Sequence, residues 1–263
     1  MDKPTVSIIM GAYNCETTVE RAVNSIIAQT YQNWELVICD DCSQDGTLDI
    51  LNSLAQKDSR IKVIRNDTNR KLAYTLNHCL YESRGIFIAR MDTDDICLPD
   101  RLEKQVDYLS THEEYAVVGA GLIPFDGEKE NKPRIPKEYP TARDLVRDVP
   151  FYHPTIMMRK EVYDSLGGYT VSKRTARGQD MDLWFRFFAA GYKGYNLQEP
   201  VLKYHESMTD YKKTDMKSSI RTTQTRLIGF KLNKMPFYLY PLAFRPIISQ
   251  LVPKKILYLY HHR

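Results

Sequence analysis

The sequence has no run of about 18 apolar residues, so it offers no segment that could cross a membrane as a helix. It opens without a basic segment followed by an apolar one, so no signal peptide is expected. Cysteine is scarce and odd in number, five in 263 residues. That disfavours a disulfide framework and fits a reducing compartment. Cys39-Asp-Asp-Cys42 has redox or half-zinc spacing, but no second CxxC or His pair accompanies it, so it reads as one strand cysteine and one loop cysteine. The phosphate-cradling patterns G-x-x-x-x-G-K-[ST] and G-x-G-x-x-G after a strand are both missing, which argues against a P-loop NTPase and a dinucleotide oxidoreductase. Acid is missing from one end. Tyr211 to Arg263 holds 11 Lys/Arg against the single acid Asp215, a net charge of +10. Residues 1–210 hold 26 Lys/Arg against 32 acids, a net −6. An acidic body with a basic aromatic tail implies two surfaces with different partners, and nucleic acid is not expected among them.

What remains is an ordinary globular composition, 43% hydrophobic and 27% charged, long enough to bury a sizeable core. Val6 to Met10 reads as a strand ended by Gly11, and Glu16 to Gln29 as a helix with Val19, Ala22, Val23, Ile26 and Ile27 on one face. Trp34 to Cys39 is a second strand. The turn Ser43 to Thr47 leads to a helix carrying Leu48, Ile50, Leu51 and Leu54. Ile61 to Ile64, a helix marked by Leu72, Ala73, Leu76 and Leu80, and a fourth strand Ile86 to Met91 follow. This alternation predicts right-handed crossovers and a mostly parallel sheet flanked by helices, an α/β fold. Beyond it, Pro99 to Ser110 reads as a helix and Tyr115 to Ala120 as a strand. Gly121 to Pro140 reads as a loop insertion, Tyr152 to Met158 as an edge strand, Asp180 to Ala190 as a helix ended by Gly191, and Tyr195 to Tyr204 as extended chain.

The chemistry concentrates at Arg90-Met-Asp-Thr-Asp-Asp95, where the fourth strand ends. Three crowded carboxylates repel one another unless a hard divalent cation or solvent intervenes, and oxygen ligands suit Mg²⁺ or Mn²⁺. Two more strand ends carry polar groups, Tyr13-Asn14 and Asp40-Asp41. In a parallel sheet all three share one rim, where ligands of open α/β sheets bind. A carboxylate can accept from the N3–H of uracil, and Tyr13 could stack on the base. The plainer readings are that Asp40-Asp41 caps the next helix, that Tyr13 packs, and that the acidic turn is solvated.

Taken in order, these segments resemble family 2 glycosyltransferases of the GT-A fold, of the bacterial polysaccharide-biosynthesis kind. The resembling residues are Val6-Ser-Ile-Ile-Met-Gly-Ala-Tyr-Asn14, Ala28-Gln-Thr-Tyr-Gln-Asn-Trp-Glu-Leu36, Val37-Ile-Cys-Asp-Asp-Cys-Ser-Gln-Asp-Gly-Thr47, Met91-Asp-Thr-Asp-Asp95 and Gly178-Gln-Asp-Met-Asp-Leu-Trp-Phe-Arg186. The match spans residues 4–210. The resemblance implies an inverting transfer of a sugar from a nucleoside diphosphate, UDP foremost, to a hydroxyl of a glycan or lipid-linked acceptor. It places Asp40 or Asp41 on uracil, Asp92 on the ribose, Asp94 on the metal, and Asp95 in support. Ala12, Tyr13, Lys71 and Thr93 join the nucleotide site, Arg70 is an alternative to Lys71, and His205 lies near the diphosphate or metal. His153 would face the acceptor. Asp180 is the expected general base, at the start of a helix where its carboxylate can face the cleft. Asp182 and Arg186, four apart, read as a surface salt bridge, and Trp184, Phe185, Phe187 and Phe188 as core. Where the family usually carries Glu-Asp, this chain has Gln179-Asp180.

On this reading residues 1–120 form the nucleotide half, 121–210 the acceptor half, and 211–263 a basic, aromatic helical extension. Four prolines and three cations interrupt the stretch Met235 to Tyr260, which suits the headgroup interface of an anionic membrane. A peripheral position at the inner face of a bacterial plasma membrane follows; a helical cap or a homodimer contact are alternative roles. Two other functions compete. Asp92-x-Asp94 after an apolar strand also resembles the nucleophile motif of haloacid-dehalogenase-type phosphatases. The tail and the missing Glu are compatible with a non-catalytic, membrane-associated binding protein.

Overall fold

The computed structural model describes residues 4–147, 149–206 and 215–251. Its frame is one eight-stranded sheet in the order β3-β2-β1-β4-β7-β6-β8-β5. β1 (Val6–Ala12) lies parallel between β2 (Trp34–Asp40) and β4 (Phe87–Arg90), with Ile8 level with Leu36 and Ala89. β3 (Ile61–Arg65) extends the parallel half beyond β2. Such strands must be apolar on both faces, because helices cover both. Accordingly Val6, Ile8 and Met10 enter one core and Ile9 the other. The one acid in the middle of these strands, Glu35, is buried but satisfied by the Ser7 hydroxyl and Arg84.

The crossovers are α1 (Val19–Ile27), α2 (Thr47–Lys57) and α3 (Leu72–Glu82). In α1, Val19, Ala22, Val23 and Ile26 form a stripe at helical spacing, and all four are buried. The parallel rhythm then breaks. The two-residue strand β5 (Ile96–Cys97) and α4 (Arg101–Thr111) precede β6 (Val117–Phe125), which reaches the sheet through the antiparallel β7 (Met157–Arg159). β8 (Gly194–His205) runs parallel to β6 and carries β5 at the far edge.

Two sequence expectations need correction here. The stretch Tyr152 to Met158 is not an edge strand: His153–Thr155 is a 3₁₀ turn, and β7 is an interior strand between β4 and β6. Met157 and Met158 are fully buried, as an interior position demands. The supposed loop from Gly121 belongs in part to β6, which continues to Phe125 through irregular register at Gly121. Its glycine and proline read as breakers. However, β7 pairs only with Val117 and Val118, so Pro124 lies where β6 has no β7 neighbour.

α5 (Lys160–Leu166) and α6 (Gln179–Ala189) build the second core, where Trp184, Phe185 and Phe187 are buried as expected and Phe188 packs against them. α7 (Met216–Leu232) lies on α6, its first turn capped by the Asp215 carboxylate accepting from Ser218 N at 2.8 Å. Contact is close at Gly229, where an added Cβ would fall 2.2 Å from the Phe185 ring. The chain continues through a 3₁₀ segment (Phe237–Phe244) into α8 (Arg245–Leu251), and Phe230, Met235 and Ala243 complete the core. Among the described residues no helix is long and apolar enough to cross a membrane.

Candidate active site

The carboxyl ends of β1, β2 and β4 form one rim. Ala12 is level with Asp40, and Met91 N donates to Ile9 O just before the acidic turn. Three of the four non-glycine residues at positive φ among the described residues lie here: Asn14, Cys42 and Lys71. Such conformations cost energy and persist only where the surroundings enforce them, often at functional sites. The enforcement is visible. Asn14 Oδ1 accepts from Gln44 N at 2.8 Å, Asn14 N donates to Ser43 Oγ at 3.0 Å, and Glu16 accepts from Gly46 N at 2.7 Å. The loops after β1 and β2 are thereby laced together, with Tyr13 half exposed above them and Ala12 buried beneath.

Asp40 and Asp41 are both buried and both partnered. Asp40 accepts from Ser43 N and pairs with Arg65 Nε at 3.2 Å. Asp41 accepts from Asn66 Nδ2 at 2.8 Å, Arg70 N at 2.7 Å and Lys71 N at 2.9 Å. Three of its roughly four acceptor positions are thus taken up in holding the 66–71 loop. Lys71 sits at the rim by its backbone, with its side chain exposed, while the Arg70 guanidinium lies over the Tyr74 ring at 4.1 Å. All five cysteines are free, and Cys39 and Cys42 divide as expected into strand and loop.

The acidic turn surrounds a cation whose role the sequence did not announce. Arg90, 5% exposed, is ion-paired with Asp92. Burial opposes its charge, but Asp92, Tyr169 and Asp95 outweigh that and hold its pKa above the usual value. Thr93 lies near the Cys15 thiol and offsets part of the rise that burial gives its pKa. Asp94 Oδ2 lies 3.4 Å from His205 Nδ1. Burial and then the Asp92 charge raise its pKa, with His205 opposing. Asp95 is fully buried: Oδ1 accepts from His205 N at 3.0 Å, and Oδ2 has no partner. Burial first, then Asp92 and Asp94, push its pKa up to about 8. His205 therefore belongs to the site, delivered by the end of β8.

Asp180 occupies the first turn of α6 and accepts from Met181 N at 2.8 Å. Burial raises its pKa; the Arg90 charge opposes that rise and the Asp92 charge adds to it, so the three groups face one another electrostatically. Asp182 points elsewhere, as expected, but its carboxylate is buried and its pair with Arg186 is not the surface salt bridge read from the sequence, because α6 packs into the second core. Asp182 binds Arg186 Nε at 2.8 Å, Arg174 Nη2 at 2.7 Å and the Thr170 hydroxyl at 2.5 Å. Burial alone would raise its pKa, but these partners hold it below the usual value.

His153 departs from expectation. It is 6% exposed and forms a buried chain, His153 Nε2 to Tyr169 OH at 2.9 Å and Tyr169 OH to Tyr163 OH at 3.0 Å. Burial, with the nearby Arg90 charge, drives its pKa well below the ordinary histidine value. It is a buried neutral ring and has little exposed surface to offer an acceptor. Arg90 and this chain are what the sequence reading missed. The available signal was weak, an arginine closing the apolar strand Phe87–Arg90 directly before three carboxylates able to pair with it.

A family model described as Glycosyl transferase family 2 matches residues 7–167. The chain belongs to this family. Asp180 and His205 lie beyond the matched stretch. This family 2 glycosyltransferase is 43% identical over 261 residues to a Bacillus subtilis (strain 168) protein named "Putative glycosyltransferase EpsE", covering 99% of this chain and 94% of that one. It is 28% identical over 245 residues to the Escherichia coli "UDP-Glc:alpha-D-GlcNAc-diphosphoundecaprenol beta-1,3-glucosyltransferase WfaP", covering 93% and 94% of the two chains. Two solved structures share its fold at 18% identity. One is S. aureus TarS 1-349 in complex with UDP-GlcNAc, with a TM-score of 0.69 over 84% of this chain and 65% of that one. The other is the Pyrobaculum calidifontis mannosyltransferase PcManGT with GDP-Man and Mn²⁺, with a TM-score of 0.68 over 99% and 80%. The GT-A architecture expected from the sequence is therefore the one observed, and the phosphatase and non-catalytic readings fall away.

Proposed function

We propose that this glycosyltransferase moves a sugar from a UDP-sugar to a hydroxyl of a glycan or lipid-linked acceptor, with inversion at the anomeric carbon and with a divalent cation at Asp94. The observation that carries the reading is the meeting of Asp180, Arg90 and Asp92 in one field, which sets a single carboxylate of α6 against the acidic rim. UDP in the TarS complex and in the WfaP name supports the donor, and diphosphoundecaprenol in the latter supports the acceptor class. The homology also supports placing the protein in the bacterial cytoplasm, at the inner face of the plasma membrane.

The side chains present suit a hard cation. Among the described residues no group of three or more His, Cys, Asp or Glu is arranged to hold a metal, so Asp94 and His205 would supply two ligands and the diphosphate with water the others. Mg²⁺ and Mn²⁺ bind substrate phosphates in this manner, and the raised pKa values of Asp94 and Asp95 beside Asp92 support a turn short of positive charge. When bound, the cation would neutralise charge on the leaving diphosphate.

The chain does the rest. Tyr13 stacks on the base and Asp40 or Asp41 accepts from it; Ala12, Lys71 and Thr93 line the nucleotide, and Asp92 takes the ribose. Asp180 removes the acceptor proton as the acceptor oxygen bonds to the anomeric carbon and the C–O bond to the diphosphate breaks, its electron pair leaving with UDP. With one base and no enzyme nucleophile, a single displacement inverts the centre. Burial makes Asp180 a stronger base than a solvated aspartate, and the Arg90 charge restrains that rise. Residues 1–120 then form the donor half, 121–210 the acceptor half and 211–263 the extension.

UDP release from a panel of UDP-sugars, with Mn²⁺ or Mg²⁺ and then with EDTA, tests this reading. Asp180→Asn and Asp94→Ala should each lower turnover by at least about a hundredfold while the thermal transition is kept. Near-normal turnover in either variant rejects its assigned role.

A further inference from the structure

The face of the chain from Ile228 to Ile248 leaves large apolar groups in water. Phe237 is 88% exposed and Tyr238 72%, and Ile228, Leu232, Phe244 and Ile248 are exposed beside them in sequence. Exposed apolar groups gathered in this way mark an interaction surface. Its electrostatics select the partner. From Met216 to Leu251 there is no acidic residue, while Lys231, Lys234 and Arg245 are exposed on the same stretch. The 144–146 turn against which the segment packs brings one acid, Asp144, already paired with Lys137. A protein partner would meet this much apolar surface with few cations; an anionic bilayer takes both, aromatic rings at headgroup depth and cations against the lipid charge.

The surface is rigidly joined to the catalytic helix. Arg174 donates to Thr225 Oγ1 on α7 at 3.0 Å and to Asp182 on α6 at 2.7 Å, and Asn233 Nδ2 donates to Phe185 O at 3.0 Å. We infer that Phe237 and Tyr238, with Phe244 and Ile248, insert into the interface of an anionic membrane, and that α7 carries this docking directly to the helix that bears Asp180. The inference rests on the lipid-linked acceptor proposed above only for its purpose; the docking itself needs no donor.

Sedimentation with phosphatidylglycerol vesicles, using the full chain without any nucleotide, tests it. Binding at low salt should exceed that to phosphatidylcholine vesicles by roughly a hundredfold, about fivefold for each of the three cations, and should weaken as salt rises. Phe237→Ser with Tyr238→Ser should cut binding at least tenfold while leaving the thermal transition and UDP release in solution unchanged. Lys231→Glu with Lys234→Glu should do the same through charge. No binding to phosphatidylglycerol at low salt, or unchanged binding in the aromatic double variant, overturns the inference. So does a homodimer in light scattering that this variant breaks without any vesicle binding. UDP release that fails while vesicle binding persists would instead sink the donor assignment alone.

Discussion

Replacing Arg90 by methionine removes the one buried cation among Asp92, Asp95 and Asp180 while nearly keeping its volume. Deleting one partner of a buried pair typically costs about 3–5 kcal/mol, because the other charge is left uncompensated. Asp92 softens this, since its side chain keeps 29% exposure and can turn to water. Asp95 is fully enclosed and has no such escape. A loss of about 3 kcal/mol at about pH 8 is the expected result. The sign of its pH dependence follows from proton binding. Without the cation, the folded-state pKa values of Asp95 and Asp180 rise further above their unfolded values. Stability then holds at low pH, where these groups are protonated in both states, and is lost as pH climbs through the raised values. The gap from the parent protein should therefore be smaller near pH 5 than at pH 8, and the share that belongs to Asp95 should open as pH climbs past about 8, where that group begins to ionise in the parent. Urea unfolding at both pH values, in EDTA, measures it. A gap below about 1 kcal/mol throughout, or one that widens toward acid, would refute the argument.

Three further outcomes are open to measurement. Because burial raises the pKa of Asp180 and Arg90 restrains it, the acid limb of kcat/KM against pH should lie above the usual carboxylate value of about 4, and Arg90→Met should move it higher still; an unmoved limb refutes the coupling. Gly229→Val should destabilise by about 1–3 kcal/mol through overpacking against Phe185, seen as a lower urea midpoint; a neutral result would mean α7 sits less tightly than described. Asp41→Asn removes the charged acceptor for three N–H groups and should cost about 2–4 kcal/mol, whereas Asp40→Asn should mainly raise the KM for the donor; the reverse pattern in unfolding and kinetics would exchange their roles.

The parallel half of the fold was legible because every signal there is local: short strands of four to seven residues, one-faced helices and turn residues between them. The acidic turn was legible for the same reason. What did not show was whatever depends on pairing across long sequence separations. β7 looked like an edge because periodicity says nothing about neighbours, and only the joining of β4 to β6 makes it central. His153 was expected on the acceptor side, and nothing in the sequence told that Tyr169 and Tyr163 would enclose it. Within the site, sequence marked the carboxylates Asp92, Asp94 and Asp180 but not the cation among them, since one arginine at the end of Phe87-Ile-Ala-Arg90 carries no sign of how deep it lies.

The fit of Gly229 over Phe185 bears on how this enzyme can be cut and recombined. A fragment ending near residue 210 would keep the acidic rim and Asp180 yet strip the cover from the aromatic ring beneath, exposing to water the helix that bears Asp180. Grafts that exchange residues 121–210 between relatives should accordingly take α6 and α7 together, as a matched lock and key.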